Sequence, residues 1–289
     1  MNENAEPVLV ERRGRTLWIT INRPDRRNAI NGAVIAGLMA AMAAAGNDPE
    51  LRAIVLTGAG DHAFCAGGDL EKGTSIFGDQ LDEPTTEFGR LARLARGIGL
   101  PVVGRINGAC VAGGMGLLAL CDLAVSADHA RFGLPEAKIG VFPMQVQVYL
   151  RKLILPRHIA ELCFTGELID SARAREIGLV NHVVPQAELD AKVDWLLEKL
   201  EGVSPVAIRR GKYAMAAMEN MGFHEAIAFA EGQIMLTAMT NDAKEGVAAF
   251  TEPPAVDVSP KSPGLVDRRG CVGCHVAGPG RDFYGPGKP

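Results

Sequence analysis

The 289-residue sequence has neither a large excess of one charge nor a long uninterrupted apolar run. Its formal net charge of −4 offers no strongly basic face, so we expect no nucleic-acid partner. The most apolar stretch, residues 109–127, is broken by three glycines and Asp122 and is too short to span a bilayer. The polar start, MNENAEPVLVERRGR, lacks the apolar segment of a signal peptide. We therefore expect a cytoplasmic protein without a membrane span.

Cysteine is sparse, and its six positions fall into two groups. The first group lies among apolar residues and is expected to be reduced and buried: Cys65, Cys110, Cys121 and Cys163. The other two belong to Cys271-Val-Gly-Cys274-His275, which matches the attachment motif of c-type haem. Haem attachment needs an export signal, and zinc needs a fourth ligand that is not evident. We expect an unliganded tail, with metal and haem as alternatives.

Hydrophobic residues make up 47% of the chain, and their pattern changes along it. The first part alternates between strand and helix patterns, with predicted strands at 16–22, 52–57, 102–106 and 123–126 and helices at 31–45, 85–97 and 113–120. Helices dominate after residue 143, at 144–154, 158–164, 171–177, 186–200, 205–218 and 223–240, with one strand at 179–184. We predict an α/β core over residues 1–200, a helical region over 201–252, and a disordered Pro/Gly-rich tail over 253–289.

Two glycine-rich segments each follow a predicted strand. Residues 57–69, TGAGDHAFCAGGD, superficially match a dinucleotide-binding loop, but a second glycine pair stands where that motif needs a helix. Residues 107–116, NGACVAGGMG, open a helix, whose first N–H groups lack internal partners and favour a developing anion. The alternative for the second segment is close packing of the helix on a strand.

A carboxylate in apolar surroundings completes the candidate set. Glu136 lies in the segment ARFGLPEAKIGVFP, residues 130–143, among aliphatic and aromatic side chains. Burial there would raise the pKa of its carboxyl and make it a suitable proton donor or acceptor near neutral pH. Pairing with Lys138 or Arg131, or simple exposure, is the alternative.

These three segments, in this order and spacing, resemble the crotonase superfamily of enoyl-CoA hydratases and isomerases. The segments NRPDRRNA, at residues 22–29, and LCFTGE, at 162–167, add to the resemblance, which covers roughly residues 7–250. It implies a spiral of ββα units with a C-terminal helical region for lid formation or oligomerisation. It also implies an acyl-CoA thioester substrate, coenzyme A being part of that substrate rather than a separate cofactor, and a homotrimer or dimer of trimers.

The resemblance also implies roles for single residues. The N–H groups of Gly68 and Gly113 would form an oxyanion hole, with Glu136 as the catalytic carboxylate. Other expected contacts with CoA or the acyl group are Ala66, Asp69, Leu70, Gly116 and Phe142. Asp69 would also cap the helix after its loop. His62, Arg23 and Arg27 could approach CoA phosphates, although solvated surface positions are the expectation for each.

The sequence departs from the hydratase pattern at two places. Hydratases of the family use two glutamates; Glu136 matches the second, whereas the first falls on Gly116. The usual small, Gly-rich run is replaced by Met144-Gln-Val-Gln147. One glutamate suffices for a proton shuttle, so we expect an enoyl-CoA isomerase. The alternatives are a hydratase, another reaction of the family such as thioester hydrolysis or decarboxylation, and a non-catalytic acyl-CoA-binding homologue.

Overall fold

The computed structural model describes residues 6–71 and 84–251, whose strands form two sheets. The six strands of the larger sheet are β1 (Val8–Arg13), β2 (Thr16–Ile21), β3 (Ala53–Gly58), β5 (Val102–Ile106), β7 (Leu123–Ala127) and β10 (His182–Val184), in the order β1-β2-β3-β5-β7-β10. The smaller sheet contains β4 (Ala63–Cys65), β6 (Ala109–Val111), β8 (Arg131–Gly133) and β9 (Ile169–Asp170), in that order.

The helices in these ranges lie mainly in the second half of the chain. They are α1 (Gly32–Asn47), α2 (Glu87–Gly97), α3 (Gly113–Ala119), α4 (Val146–Leu150), α5 (Pro156–Thr165), α6 (Ser171–Glu176), α7 (Leu189–Glu201), α8 (Pro205–Met218), α9 (Phe223–Ala238) and α10 (Asn241–Thr251). Short 3₁₀ helices precede α1, at Pro24–Arg26, and follow β8, at Pro135–Ile139.

Each turn of the chain places one strand in each sheet. β3, β5 and β7 pair in parallel in the larger sheet, and β4, β6 and β8 pair in parallel in the smaller one. The connection from β6 returns through α3, which leads directly to β7. This arrangement confirms the predicted α/β class and its spiral of ββα units.

Alternating residues of the larger sheet enter two different cores. Ile54 and Leu56 belong to the main core, which also includes α1, α2 and α3 side chains, whereas Val55 packs with Leu189 and Val193 of α7. Both faces of β3 are thus buried, as its continuous apolar sequence predicted. The predicted burial of the four core cysteines is also confirmed, and burial raises the pKa of the Cys65 thiol to about 12.

Several element predictions were wrong in extent. The helix predicted over 144–154 is helical only at Val146–Leu150 and continues as turns. The strand predicted over 179–184 is confined to His182–Val184. β1, α10 and all strands of the smaller sheet were not predicted. The sequence predicted a helix at 205–218, and α8 spans that range.

The C-terminal helices attach to the core chiefly through α8. Lys212 donates to Asp122 at 2.5 Å and to the Leu100 carbonyl at 2.8 Å. Glu219, which follows α8, pairs with Arg96 of α2 and with Lys152. α9 and α10 contribute no fully buried side chain. Across residues 6–71 and 84–251, no helix is long and apolar enough to cross a membrane. The division of the chain near residue 200 stays a prediction.

Candidate active site

Three neighbouring parallel strands of the smaller sheet lead to the candidate residues. Gly68 follows β4 by three residues, Gly113 follows β6 by two, and Glu136 follows β8 by three. Because β4, β6 and β8 are adjacent and parallel, the three residues emerge at the same edge of the sheet. The carboxyl ends of parallel strands are a common location for ligand sites.

The two glycine-rich segments touch each other at this edge. A Cβ atom added to Gly113 would lie 3.4 Å from Cα of Gly67 and 3.6 Å from the carbonyl carbon of Gly67. That carbonyl carbon is bonded to the nitrogen of Gly68. Gly67 itself has φ of +92°, and a side chain there would lie 2.7 Å from Cβ of Ala112. Only glycine permits both this backbone conformation and this approach.

In the described structure, the N–H groups of Gly68 and Gly113 are free to donate to a ligand. The neighbouring amides are occupied: the Ile30 amide donates to the Gly67 carbonyl at 2.7 Å and the Asp69 amide to the Ile30 carbonyl at 2.8 Å. Neither Gly68 nor Gly113 donates a hydrogen bond to another residue within the two described ranges. For Gly113 the cause is its position as the first residue of α3, where the N–H has no helical acceptor.

An unusual backbone conformation directs the start of α3. Ala112, its N-cap residue, has φ of 50° and ψ of −122°, an uncommon combination for a residue with a side chain. The Ala112 amide donates to the carbonyl of Gly133 at 2.9 Å, which ties the start of α3 to the end of β8. Strain of this kind is common at functional sites and persists where surrounding structure imposes it.

Glu136 is buried with an unsatisfied carboxylate. It lies in the 3₁₀ helix that Pro135 begins, and only 8% of its surface is exposed. Its Oε2 atom has no hydrogen-bond partner in the described structure. Burial raises the pKa of its carboxyl above the ordinary glutamate value. The predicted pairing alternative is therefore wrong: Lys138 binds Glu167 at 2.7 Å instead.

The N-terminal loop braces the segment that carries Gly68. Arg23 forms an ion pair with Asp69 at 2.7 Å, with side-chain exposures of 18% and 14%, and also donates to the Ala29 carbonyl. The expected solvated position for Arg23 is thus wrong. Asp69 accepts the Glu71 amide at 3.2 Å, a capping-type contact, while the guanidinium hydrogen bond lowers the pKa of its carboxyl. The Ala66 amide donates to the Arg27 carbonyl at 3.0 Å.

The remaining predicted contact residues differ in their degree of exposure. Leu70 is 50% exposed, and Phe142 packs against the main core with its ring 6.2 Å from that of Phe164. Gly116 is buried on α3, three residues after Gly113. A side-chain carbon at Gly116 would lie 2.6 Å from Cζ of Phe88, a residue of α2 that the sequence patterns did not single out.

The structure contradicts the dinucleotide-binding alternative, whereas the metal alternative for the tail lies outside the described residues. The chain continues from β3 through a turn into β4, so the helix that a dinucleotide loop needs does not follow Gly58. Within residues 6–71 and 84–251, no group of three histidine, cysteine, aspartate or glutamate side chains is placed to hold a metal ion. Cys271, Cys274 and His275 lie outside the described residues.

Comparison with known proteins agrees with this geometry. Residues 11–257 match the sequence profile of the enoyl-CoA hydratase/isomerase family. The chain belongs to this family. It is 34% identical over 254 residues to enoyl-CoA hydratase EchA19 of Mycobacterium tuberculosis, covering 86% of this chain and 95% of that protein.

Solved structures of family members have the same fold. A crystal structure of an enoyl-CoA hydratase from Mycobacterium smegmatis superposes with a TM-score of 0.78 at 30% identity, covering 84% of this chain and 95% of that one. AtuE of Pseudomonas aeruginosa superposes with a TM-score of 0.80 at 31% identity, covering 86% and 97%. The fold and family that the sequence motifs predicted are therefore confirmed.

Proposed function

We propose that this enzyme moves the double bond of a 3-enoyl-CoA to the 2-position, with Glu136 as the only proton shuttle. Two observations carry the proposal: among the described residues Glu136 is the one buried carboxylate, with no hydrogen-bond partner for its Oε2 atom, and position 116 of α3 is glycine. Addition of water by the two-glutamate route needs a second carboxylate there. Movement of a proton between two carbons needs one group that first accepts and then donates.

In the proposed mechanism, Glu136 removes a proton from C2 of the substrate. The electrons of the C–H bond delocalise into the thioester, and the resulting dienolate carries its charge on the carbonyl oxygen. The N–H groups of Gly68 and Gly113 donate to that oxygen, each worth about 3 kcal/mol in the transition state. Glu136 then returns the proton to C4, which completes the shift without a redox step. We propose accordingly that no cofactor is needed beyond the coenzyme A of the substrate.

The raised pKa of the Glu136 carboxyl supports this double role. A carboxylate with an ordinary pKa is a weak base toward carbon, and its conjugate acid is short-lived at neutral pH. Burial raises the pKa of Glu136 and so brings its basic and acidic forms closer in free energy. Ala66, Asp69, Leu70 and Phe142 are proposed to contact the CoA and acyl portions of the substrate.

Hydration of a 2-enoyl-CoA is the second candidate function. The observation in its favour is that relatives with similar sequence and fold carry the name enoyl-CoA hydratase. In this chain, Glu136 would have to activate water without help from position 116.

We propose that the protein acts in the cytoplasm as a trimer or a dimer of trimers.

The two reactions are separated by supplying each substrate alone. Purified protein given a 3-enoyl-CoA should produce the 2-enoyl-CoA, detected by the absorbance of the conjugated thioester and by chromatography. With 2-enoyl-CoA, formation of the 3-hydroxyacyl-CoA should be much slower. Rapid hydration without any double-bond shift would contradict isomerisation and support the hydratase alternative. No turnover with a panel of enoyl-CoA thioesters, despite measurable binding, would support a non-catalytic homologue.

Removal of the proposed shuttle provides the residue-level test. Glu136→Gln should lower kcat for isomerisation by about 10²- to 10⁴-fold, because the amide cannot accept the C2 proton. The matched control is Glu167→Gln, which removes an exposed carboxylate that binds Lys138, and should retain activity. Wild-type activity in Glu136→Gln would show that another group is the base.

A further inference from the structure

The first turn of α2 lies directly over position 116 of α3. A side-chain carbon at Gly116 would lie 2.6 Å from Cζ and 3.3 Å from Cε1 of Phe88, and 3.1 Å from Cγ2 of Val146. Carbon atoms do not approach to 2.6 Å without displacement of one of them. Phe88 and Val146 therefore occupy the space that any side chain at position 116 would enter.

Position 116 lies on the same helix as the proposed oxyanion donor, three residues after Gly113. It is also the position where the hydratases of the family carry the first of their two glutamates. What covers Gly116 therefore occupies the place of that carboxylate. We call the set of Phe88, Gly116 and Val146 the apolar plug.

A specific hydrogen bond anchors the helix that carries Phe88. Thr86 is the N-cap of α2, and its Oγ1 accepts the Gly89 amide at 3.0 Å. The same oxygen accepts the Gln145 side-chain amide at 2.5 Å. Gln145 and Val146 belong to the Met144–Gln147 run that departs from the usual Gly-rich sequence. The two departures from the hydratase pattern, glycine at position 116 and the run after Glu136, therefore meet in space beside Phe88 of α2.

The chemistry of the plug is unfavourable to water. A buried water molecule needs two to four polar partners, and a phenyl ring, an isopropyl group and a glycine hydrogen provide none. A dienolate formed beside such a surface is protected from a competing reaction with water. Glu136 then has only carbon atoms of the substrate to exchange its proton with.

We propose that Phe88 is a specificity-determining residue, whose ring in the apolar plug excludes water from the reacting carbons and commits the site to double-bond migration. This inference rests on the proposed enoyl-CoA chemistry at Glu136. It adds a residue on a different helix that determines the outcome of that chemistry, and it predicts that a glutamate at position 116 alone does not restore hydration.

The test compares Phe88→Ala, Gly116→Glu and the double variant. Phe88→Ala should raise the ratio of hydration to isomerisation by about tenfold. Gly116→Glu alone should lower the midpoint of thermal unfolding by about 5 °C through overpacking against the ring, and should hydrate poorly. The double variant should recover part of that stability and hydrate 2-enoyl-CoA at least tenfold faster than Phe88→Ala, because the new carboxylate gains room to hold a water molecule.

Leu94→Ala is the matched control, since it shortens another apolar side chain of α2 six residues from Phe88. It should leave the ratio of hydration to isomerisation unchanged. Two outcomes would contradict the role of the apolar plug and leave the proposed function intact. One is a Gly116→Glu protein as stable as wild type. The other is a Phe88→Ala protein with wild-type activity and an unchanged ratio of hydration to isomerisation. Wild-type protein that hydrates without shifting the double bond would contradict the proposed function, whatever the variants do.

Discussion

Burial of a single carboxyl group has opposite consequences for stability and for activity at Glu136. In the unfolded chain this carboxyl ionises with the ordinary glutamate pKa, whereas burial raises its pKa in the folded protein. As pH rises through the folded pKa, the carboxylate becomes able to accept a proton, and the fold loses stability because the charged form is desolvated. The acidic limb of kcat/KM should therefore lie above the ordinary pKa of glutamate.

Glu136→Gln is expected to become more stable, relative to wild type, as pH rises. The amide carries no charge, so it avoids the desolvation that the carboxylate meets above its raised pKa. The midpoints of thermal unfolding of the two proteins should be compared from about pH 4 to 8. The midpoint of Glu136→Gln should rise relative to that of wild type as the pH approaches neutrality. Glu167→Gln, which removes an exposed carboxylate whose pKa Lys138 lowers, should show no such gain. A difference independent of pH would contradict the effect of burial on Glu136.

Individual residues differ in how far the sequence could predict them. The apolar neighbours of Glu136 in its own segment indicated its burial. The roles of Gly68 and Gly113 were implied by the resemblance alone, because the short strands that bring them together were not predicted. Phe88 gave no local signal, because its role arises from the packing of α2 on α3. Arg23 was expected at the surface since its partner, Asp69, lies 46 residues away in the chain.

Among secondary-structure elements, long segments were predictable and short ones were not. β3 and α8 have enough residues to show their apolar runs or periodicity. The strands of the smaller sheet contain two or three residues, too few for alternation to appear. These short strands nevertheless position the candidate site, because Gly68, Gly113 and Glu136 follow three of them. Their pairing depends on contacts between successive turns of the spiral, which a local pattern does not contain.

The ion pair between the N-terminal loop and the Gly68 segment should matter for both stability and catalysis. Asp69→Asn removes the charge that Arg23 binds, which should cost about 1 kcal/mol of unfolding free energy and loosen the Gly68 N–H. We expect kcat to fall by about tenfold, measured with saturating 3-enoyl-CoA. Because Arg23 lowers the pKa of Asp69, the stabilisation is present above the ordinary aspartate pKa and is lost as pH falls below it.

The neighbouring pair between Arg26 and Glu71 provides the matched control. Its side chains are 44% and 62% exposed and lie in the same two segments. Exposed ion pairs contribute little to stability, so Arg26→Gln should change neither kcat nor the unfolding midpoint appreciably. Equal losses in Asp69→Asn and Arg26→Gln would show that general surface charge, rather than the partly buried pair of Arg23 and Asp69, stabilises this loop.

At the scale of the whole molecule, the C-terminal helices are the least buried part of the described chain. Large apolar side chains are exposed on them, including Tyr213, Met215, Phe223, Ile234, Met235, Met239, Val247 and Phe250. Isolated exposed apolar residues are common, but a concentration on three successive helices is typical of a protein interface. This concentration supports the proposal that copies of the chain associate through α8–α10.

Light scattering after size-exclusion chromatography should therefore give three or six times the 30.6 kDa mass of one chain. Met235→Glu should shift this mass toward a single chain, because an ionised carboxylate buried in an apolar interface has no partner. Val10→Glu is the control, since it adds the same charge to an exposed position of β1, far along the chain from these helices. Wild-type protein with the mass of one chain at micromolar concentration would contradict the assembly.

If Met235→Glu dissociates the oligomer while isomerisation persists, each chain contains a complete site. If activity is lost with the oligomer and Val10→Glu retains both, the helices of a neighbouring copy are needed to close the site.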